Sequence, residues 1–475
     1  MAPRERVEMT ASAGLSEPRV GSLEERMTAL GGPLALLRFP RSGIFPFPIR
    51  AEFSNWRDEQ ESWYRTAVLF DQSEHMTDLT LEGPDSYRLL SDLAVNSFDG
   101  FGPMKAKQLV VCNYDGYVIG DAIAFCLGDR HVRVVGRPPA HNWIQFHAET
   151  GGYDVTVRRD ERSVQNRGKT RELFRFQVQG PNAKTILEEA NGGPLPEIPF
   201  FNIGKLRVGS HSVMALNHRM SGFPGLEIWG PYEEKDAVRE TLLAVGEPYG
   251  LTPAGARAYA SVATESGWIP GITPAIYSGE PMRGYRQWLP ATAFEANLIL
   301  GGSFVSDRVE DYYSSPYDLG YGFMVKFDHD FIGRPALERL AEQPHRDKAW
   351  LYWQRDDVAR VFASLYEQGE RRFKHIEMPA AWYGSMQFDR IESSGARLIG
   401  LSTTVIYSSN ARSFLSLCMI DATDAVNGSE VAVVWGEPSG GSANLAVERH
   451  AQTSIRAVIG GKPFGARTQG SSVSR

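Results

Sequence analysis

One predicted loop carries three side chains that could bind or protonate a small molecule. The segment LFDQSEHMTDL (69–79) places Gln72, His75 and Met76 between two predicted strands. Histidine is the side chain that most readily accepts or gives a proton near neutral pH. The loop could therefore hold an acid–base group, although a single histidine at a strand end is more often structural.

An arginine follows a later strand at a position suited to an anion. In GRPPAHNW (136–143), Arg137 lies between a predicted strand and the beginning of a helix. A guanidinium there can bind a carboxylate through two hydrogen bonds, and the helix N-terminus favours negative charge. The alternative is an ion pair on the surface, which contributes little to stability.

A third segment combines aromatic and acidic side chains. RAYASVATESGWIPG (257–271) contains Tyr259, Glu265 and Trp268. Tyr259 and Trp268 need not face one pocket, so packing in the core is the default interpretation. Aromatic residues make up 11% of the chain, which fits either large cores or a pocket lined for a flat ligand.

Several motifs that carry chemistry elsewhere are absent from the sequence. The ten histidines are scattered and there is no HExxH, CxxC or DxHxxG, so no metal site or cobalamin ligand is predicted. The patterns GxGxxG, GxxxxGKS/T and GxSxG are also absent. Their absence disfavours nicotinamide-dependent enzymes, enzymes that bind nucleoside triphosphates and serine hydrolases. The segment NYDGYVIGD (113–121) is by pattern a hairpin turn.

Composition excludes further classes of protein. A chain of 475 residues with a net charge of -7 predicts two or three domains and no overall attraction to nucleic acid or to an anionic membrane. No apolar run reaches about 18 residues, and the N-terminus lacks the apolar segment of a secretory signal. The three scattered cysteines, Cys112, Cys126 and Cys418, fit a cytoplasmic protein better than a disulfide framework.

The elements that would position these side chains follow a recurring pattern. A strand that ends in Gly-Pro and leads into a helix occurs at 81–93, 178–190 and 225–250. Three copies predict an α+β region built from duplicated ferredoxin-like halves.

The composition changes near residue 345. Short strands separated by Gly, Asn and Asp turns are predicted at 348–355, 397–409, 414–420, 430–437 and 454–461, which is typical of a β-barrel or sandwich. The expected regions are a disordered segment at 1–22, an α+β region at 23–345, a C-terminal β-barrel domain at 346–467 and a tail at 468–475.

Five segments, taken in order, resemble the glycine-cleavage T-protein (aminomethyltransferase) family. They are FDQSEHMTDLTLEGPDS, NYDGYVIGD, FQVQGPNA, GFPGLEIWGP and DLGYGFMVKFDHDFIGRPAL. The resemblance implies a folate-binding cloverleaf with a C-terminal β-barrel. It also implies transfer of one-carbon units to or from tetrahydrofolate.

A more specific resemblance is to the tetrahydrofolate-dependent aryl O-demethylases of this family, which act on vanillate, 3-O-methylgallate and syringate. The segments that carry it include EFSNWRDEQ (52–60), HAETGGY (147–153), ESGWIP (265–270) and YRQWLPA (285–291). It implies that a methoxybenzoate is the methyl donor, that tetrahydrofolate is the acceptor and that no metal is needed.

The same resemblance implies roles for individual residues. Tyr259 and His75 match catalytic residues, and Arg137 matches the arginine that pairs with the substrate carboxylate. A tyrosine suits the task because its pKa, about 10, is near that of the phenol released. The other implied contacts are Gln72, Phe47, Met76 and Trp268 for the substrate and Glu227, Gln177 and Val135 for the folate.

Two departures from the family pattern bear on the reaction. Gly120 stands where the T-protein has the first of two aspartates and only Asp121 is retained, which argues against aminomethyl transfer. Phe47 stands where vanillate-type enzymes carry a tyrosine, which leaves room for a second methoxy group. Syringate is therefore the expected substrate, giving 3-O-methylgallate and 5-methyltetrahydrofolate. Vanillate, 3-O-methylgallate and chlorinated methoxybenzoates are alternative substrates; an aminomethyltransferase and a non-enzymatic folate-binding protein are alternative functions.

Overall fold

The computed structural model describes residues 21–39, 49–166, 170–220, 222–368 and 372–461. Phe47, the tail at 468–475 and nearly all of the segment at 1–22 lie outside the described residues. Ser22, which the sequence places in a disordered segment, instead caps the first helix by accepting a hydrogen bond from the backbone of Glu25.

The helices and strands of the described residues are numbered in chain order. The helices are α1 (Leu23–Leu30), α2 (Pro33–Leu37), α3 (Trp56–Arg65), α4 (Ser86–Leu93), α5 (Pro138–Thr150), α6 (Ala183–Asn191), α7 (Lys235–Gly246), α8 (Ala256–Ser266), α9 (Arg283–Trp288), α10 (Arg334–Ala341) and α11 (Arg355–Ala363). The first strands are β1 (Ala67–Asp71), β2 (Thr77–Glu82), β3 (Ala106–Cys112), β4 (Val118–Gly128), β5 (His131–Gly136), β6 (Thr156–Asp160), β7 (Leu173–Gln179), β8 (Ile203–Val208), β9 (His211–Leu216), β10 (Gly225–Pro231), β11 (Leu251–Ala254) and β12 (Leu300–Gly301). The remaining strands are β13 (Arg346–Trp353), β14 (Ala380–Ala381), β15 (Met386–Gln387), β16 (Asp389–Glu392), β17 (Leu398–Ser408), β18 (Ser413–Asp421), β19 (Glu430–Trp435) and β20 (Thr453–Gly460).

Two sheets form the part of the chain before residue 345. One has the strand order β3-β4-β5-β2-β6 and the other β11-β1-β7-β10-β9-β8. Strands β3, β4 and β5 form an antiparallel meander. Its first turn is shaped by the side chain of Asn113, whose Oδ1 accepts hydrogen bonds from the backbone of Asp115 at 3.0 Å and of Tyr117 at 2.9 Å.

The predicted strand–Gly-Pro–helix units are β2 with α4, β7 with α6 and β10 with α7. Gly83 and Gly180 directly follow β2 and β7 and have φ of 151° and 132°. A Cβ at either position would lie within 3 Å of the backbone of a neighbouring segment. Glycine is therefore required at both turns. The third copy differs, because its Gly-Pro still belongs to β10.

The C-terminal strands form a closed barrel. Its strand order is β17-β16-β19-β20-β13-β18, and the pairing of β17 with β18 closes the ring. The barrel has its own apolar core, in which Trp353 and Trp435 meet edge to face at 5.4 Å. Met386, Phe388 and Leu417 belong instead to the core of the preceding region, so the two parts share apolar packing.

Candidate active site

A cavity of about 680 Å³ lies between the two N-terminal sheets, helix α8 and a segment of the C-terminal region. This volume is in the range of sites for small organic ligands. The loop from β1 to β2 passes from one sheet to the other and forms part of the wall. The residues implied by the sequence that line the cavity are Gln72, His75, Met76, Val135, Arg137, Glu227, Tyr259 and Trp268.

Tyr259 and His75 are in direct contact. The Tyr259 hydroxyl lies 2.8 Å from His75 Nε2, and the amide of Gln72 donates a hydrogen bond to the same hydroxyl at 3.3 Å. Tyr259 is held by α8, whose N-cap residue Gly255 lies so close to the backbone of Ala51 that a Cβ there would be 2.3 Å from the carbonyl oxygen. Strand β11, which directly precedes α8, pairs with β1, and this pairing fixes the tyrosine relative to the β1–β2 loop.

Burial sets the protonation states of this pair. Burial and the positive charge of nearby arginines, first of all Arg137, lower the pKa of His75 to about 3. Burial also raises the pKa of Tyr259, which the hydrogen bond from Gln72 partly offsets. At neutral pH the site therefore contains an uncharged imidazole beside a protonated phenol.

Arg137 is partly buried on the cavity wall and forms no ion pair with another described residue. It occupies the N-cap position of α5, and its guanidinium donates a hydrogen bond to the carbonyl of Pro270 and lies 5.5 Å from the centroid of the Phe294 ring. Burial lowers its pKa to about 10, so it remains a cation at neutral pH.

Asp121 is a partly buried carboxyl group on the cavity wall. Its Oδ2 accepts hydrogen bonds from Trp268 at 3.0 Å, Gln108 at 3.0 Å and Tyr321 at 2.9 Å. Burial raises its pKa, while these donors favour the ionised form. The hydrogen bond to Asp121 thereby fixes the indole of Trp268 against the cavity. The sequence alone does not decide whether Trp268 faces this pocket.

The neighbouring position 120 faces the other way. A Cβ at Gly120 would lie 3.1 Å from the backbone nitrogen of Ala140 in α5, and side chains of successive strand residues point to opposite faces. An aspartate at 120 would therefore point at α5. The carboxyl group that this strand presents to the cavity is that of Asp121. The geometry therefore gives no support to the sequence argument that Gly120 disfavours aminomethyl transfer.

Glu227 belongs to a buried chain of charges. Arg175 donates a hydrogen bond to Glu227 and contacts Asp78 at 3.1 Å, and His218 Nδ1 lies 3.6 Å from Glu227 Oε2. Burial would raise the pKa of Glu227, but the charge and hydrogen bond of Arg175 and the nearby imidazole of His218 lower it. Glu227 is therefore an anion at neutral pH.

Gln177 lies behind the cavity wall. It pairs with Glu227 across β7 and β10, and its amide donates to the backbone carbonyl of His218 at 3.1 Å. It does not line the cavity, while His218 does. Gln177 thus supports the wall from behind.

Comparison with known proteins identifies the family. The family model described as the GCVT N-terminal domain matches residues 28–271. A syringate O-demethylase from a Sphingobium species is 43% identical over 446 residues, which cover 94% of this chain and 96% of that protein. The chain belongs to the GCVT family.

More distant GCVT-family proteins agree with this. A sesamin methylene transferase from a Sinomonas species is 28% identical over 435 residues, which cover 89% of this chain and 90% of that protein. An aminomethyltransferase from Thermoanaerobacter pseudethanolicus is 26% identical over 62% of this chain and 68% of its own. The crystal structure of a Bartonella henselae aminomethyltransferase of the glycine cleavage system superposes with a TM-score of 0.59 at 17% identity, covering 90% of this chain and 94% of that one. The predicted T-protein-like fold is confirmed.

Several features of this GCVT-family site were not predicted from the sequence. Arg162 and Arg175 line the cavity, as does a C-terminal segment, 377–382, whose Trp382 Nε1 is buried without a partner in the described part of the chain. Arg175 left a signal, since it stands between two phenylalanines in the strand FRFQVQ. Arg162 lies in the charged run RRDERS, which looks like an ordinary exposed turn.

The described residues were also considered for membrane-spanning helices and for metal-binding groups. None of their helices is long and apolar enough to cross a membrane. Within the same ranges, no group of three or more His, Cys, Asp or Glu side chains is arranged to hold a metal ion.

Proposed function

We propose that this protein is a tetrahydrofolate-dependent O-demethylase that moves the methyl group of a methoxybenzoate to N5 of tetrahydrofolate. The observation that carries the proposal is the convergence of Tyr259, His75 and Arg137 on one cavity, in a chain 43% identical to a protein named syringate O-demethylase. Syringate is the substrate we propose, with 3-O-methylgallate and 5-methyltetrahydrofolate as products. The three cysteines are free and buried, which is compatible with the cytoplasmic location that we also propose.

The far wall of the cavity fits tetrahydrofolate. Glu227 presents one carboxylate oxygen beyond the contact with Arg175, and a carboxylate accepts hydrogen bonds from the amino and ring N–H groups of a pterin. His218 lines the cavity, and its Nδ1 is buried and has no hydrogen-bond partner in the described ranges. Buried polar atoms of this kind are expected to meet a ligand. Val135 adds apolar surface.

The proposed role of Tyr259 is to protonate the leaving phenoxide. When bound, tetrahydrofolate supplies N5 as the nucleophile and receives the methyl group. Hydrogen bonds from Gln72 and from the Nε2–H tautomer of His75 would occupy the two lone pairs of the Tyr259 oxygen, which leaves its O–H free for the ether oxygen. As the methyl carbon–oxygen bond breaks, this proton would pass to the phenoxide and a phenol would be released, and the proton lost from N5 on methylation would restore the Tyr259 hydroxyl.

The raised pKa of Tyr259 is consistent with this role. Desolvation in the cavity penalises a phenoxide on the substrate in the same way as it penalises a tyrosinate. The two pKa values therefore rise together, and the match between proton donor and acceptor is retained.

We propose that Arg137 binds the substrate carboxylate and that Met76 and Trp268 form apolar walls beside the ring. Holding two reactants in line can lower the barrier by roughly 7–11 kcal/mol. The proposed preference for syringate rests on Phe47, which lies outside the described residues. Vanillate, 3-O-methylgallate and chlorinated methoxybenzoates are the alternative substrates.

The decisive experiment is an anaerobic incubation of the protein with tetrahydrofolate and, in separate reactions, syringate, vanillate and 3-O-methylgallate. We expect equimolar demethylated aromatic product and 5-methyltetrahydrofolate by chromatography, no product without tetrahydrofolate, and the highest rate with syringate. Equal or faster turnover of vanillate would remove the syringate preference. Absence of product from all three, together with binding of tetrahydrofolate, would favour a non-enzymatic folate-binding protein.

A further inference from the structure

Lys235 is a lysine at the start of a helix, and its side chain reaches the loop that carries His75. It is the first residue of α7, which follows β10 by way of a short turn at 232–234. The helix dipole disfavours a cation at this position. The Lys235 side chain is nonetheless only 15% exposed. The contacts that it makes with the β1–β2 loop therefore have to offset both costs.

Two carboxylates of the β1–β2 loop bind the Lys235 ammonium group. Its Nζ lies 3.0 Å from Oδ2 of Asp71, the last residue of β1, and donates a hydrogen bond to Glu74 Oε1 at 2.8 Å. Burial alone would lower the pKa of Lys235, but the charge of Asp71 and the hydrogen bonds to both carboxylates raise it. Lys235 is therefore a cation at neutral pH, and it joins the two ends of the segment 71–74.

The residues next to these two carboxylates point toward the cavity. Gln72 follows Asp71 and His75 follows Glu74. Gln72 Nε2 lies 3.3 Å from the Tyr259 hydroxyl, and His75 Nε2 lies 2.8 Å from it. The loop thus presents its anions to Lys235 and its two neutral polar side chains to Tyr259. A shift of either carboxylate would move a neighbour that contacts the Tyr259 hydroxyl.

Glu74 has further partners, and they differ from Lys235. Its Oε1 also accepts a hydrogen bond from the Tyr232 hydroxyl at 2.7 Å, and its Oε2 accepts one from the Ser163 hydroxyl. Burial would raise the pKa of Glu74, but the hydrogen bonds from Lys235, Ser163 and Tyr232 lower it. Of these three donors, Lys235 is the one that is charged and that also binds Asp71. It therefore fixes the segment 71–74 at two points.

We infer that Lys235 is a positioning residue, which holds the β1–β2 loop so that Gln72 and His75 meet the Tyr259 hydroxyl. The inference rests on the proposed function and extends it to a residue outside the cavity lining. Misplacement of a reacting group costs rate when the bound reactants are otherwise held as before. The rate of methyl transfer should therefore depend on Lys235 more strongly than the binding of tetrahydrofolate does.

The first measurement is the single-turnover rate of methyl transfer from syringate to tetrahydrofolate in the full-length wild type, Lys235→Gln and Lys235→Arg. We expect Lys235→Gln to lower this rate roughly 10- to 100-fold and to change the dissociation constant of tetrahydrofolate, measured by calorimetry, less than about threefold. Lys235→Arg should recover much of the rate, because it keeps the charge and can donate to both carboxylates.

Two comparisons separate positioning from a general loss of structure. Lys184→Gln is the matched control, since it removes an exposed lysine of α6 that pairs with Glu188, and it should leave the rate unchanged. The second comparison introduces Lys235→Gln into Tyr259→Phe. Residues that act as a unit are not additive, so Lys235→Gln should lower the rate of this variant less than about threefold. A general structural defect would lower the rate equally in both backgrounds.

Hydrogen exchange followed by mass spectrometry gives a readout that needs no turnover. Peptides that cover 69–79 should exchange faster in Lys235→Gln than in the wild type, Lys235→Arg and Lys184→Gln. If Lys235→Gln does not fold, Glu74→Gln takes its place. That variant leaves Lys235 paired with Asp71 but removes one of its two ionic contacts with the loop, so the same pattern with a smaller amplitude is expected.

The remaining outcomes distinguish the inference from the proposed function. An unchanged rate in Lys235→Gln, or an equal loss of rate with and without the Tyr259 hydroxyl, would overturn the inference while wild-type turnover still supports the proposed function. Weaker tetrahydrofolate binding with an unchanged rate at saturation would assign Lys235 to the folate and also overturn it. Absence of methyl transfer in the wild type would overturn the proposed function. In that case, faster exchange of 69–79 in Lys235→Gln would retain Lys235 as the anchor of the loop, and unchanged exchange would overturn the inference as well.

Discussion

At the scale of single residues, the hydroxyl of Tyr259 is the atom on which the proposed chemistry depends. Replacing it in Tyr259→Phe removes one oxygen and leaves the ring in contact with Phe70, whose centroid is 5.4 Å away. Loss of a general acid typically lowers the rate about 10²- to 10⁴-fold. We expect kcat to fall by this factor while the dissociation constants of syringate and tetrahydrofolate change less than about threefold.

Single-turnover kinetics and calorimetry measure the two quantities separately. Tyr249→Phe serves as the control, because Tyr249 is a surface residue that bonds Glu189 and lies outside the cavity lining. A Tyr259→Phe protein with nearly wild-type turnover would assign protonation of the phenoxide to another group.

The residues of the site were predictable to different degrees. Tyr259, His75 and Arg137 were implied by a resemblance over several segments, and the structure brings them to one cavity. Arg162 was not predicted, because a charged run after a strand gives no sign of which side chain turns inward. That depends on the pairing of β6 with β2 and on Phe294, which is far away in the sequence.

At the scale of elements, helix α8 connects the site to the C-terminal barrel through Glu265. Its carboxyl group accepts hydrogen bonds from Trp63 in α3 at 2.9 Å and from Ser408 at the end of β17 at 2.5 Å. Burial raises the pKa of Glu265 to about 7. The folded protein therefore binds this proton more tightly than the unfolded chain, and its stability falls as pH rises from about 4.5 to about 7.

The variant Glu265→Gln cannot titrate and should lack this contribution. Between pH 5.5 and pH 8, the free energy of unfolding of the wild type should fall by about 2 kcal/mol more than that of Glu265→Gln. Urea unfolding at both pH values measures the difference. Parallel pH dependence of the two proteins would mean that Glu265 stays ionised when buried.

The connection between β12 and the barrel depends on a glycine. Gly302 has φ of +103°, and a Cβ there would lie 2.1 Å from the carbonyl oxygen of Phe388. Gly302→Ala should therefore cost at least about 3 kcal/mol, from backbone strain and the forced separation of two segments. Gly395→Ala, in an open turn with nothing within 4 Å, should be nearly neutral. Similar unfolding midpoints for the two variants would show that the backbone at 302 can relax.

Elements with a local signal were predictable and those held by distant partners were not. The five C-terminal strands occur where the sequence predicts them. The short strands β12 and β15 were missed, because each has only two residues and exists through its pairing with the other. The third Gly-Pro was expected to end a strand like the first two, but Gly230 keeps ordinary strand geometry within β10.

At the scale of the whole molecule, the domain boundary near residue 345 stays a prediction. The regions on its two sides are in direct contact. Trp350 Nε1 of the barrel donates to the carbonyl of Thr264 in α8 at 2.8 Å. Gln60 of α3 donates to the carbonyl of Tyr407 at 2.9 Å. The cavity itself takes part of its wall from 377–382. Separation of the two regions would open the site and expose apolar surface of both.

Cooperative unfolding is therefore expected across this boundary. Because the two regions share a core and a ligand cavity, calorimetry should record one thermal transition, with coincident midpoints by far-ultraviolet circular dichroism and tryptophan fluorescence. Tetrahydrofolate should shift that whole transition upward, since a ligand that binds only the folded state adds RT ln(1 + [L]/Kd) to its stability, about 2.7 kcal/mol at 100 times Kd. Two transitions, of which only the first moved with tetrahydrofolate, would mean that the barrel folds independently and that its contribution to the cavity wall is dispensable for binding.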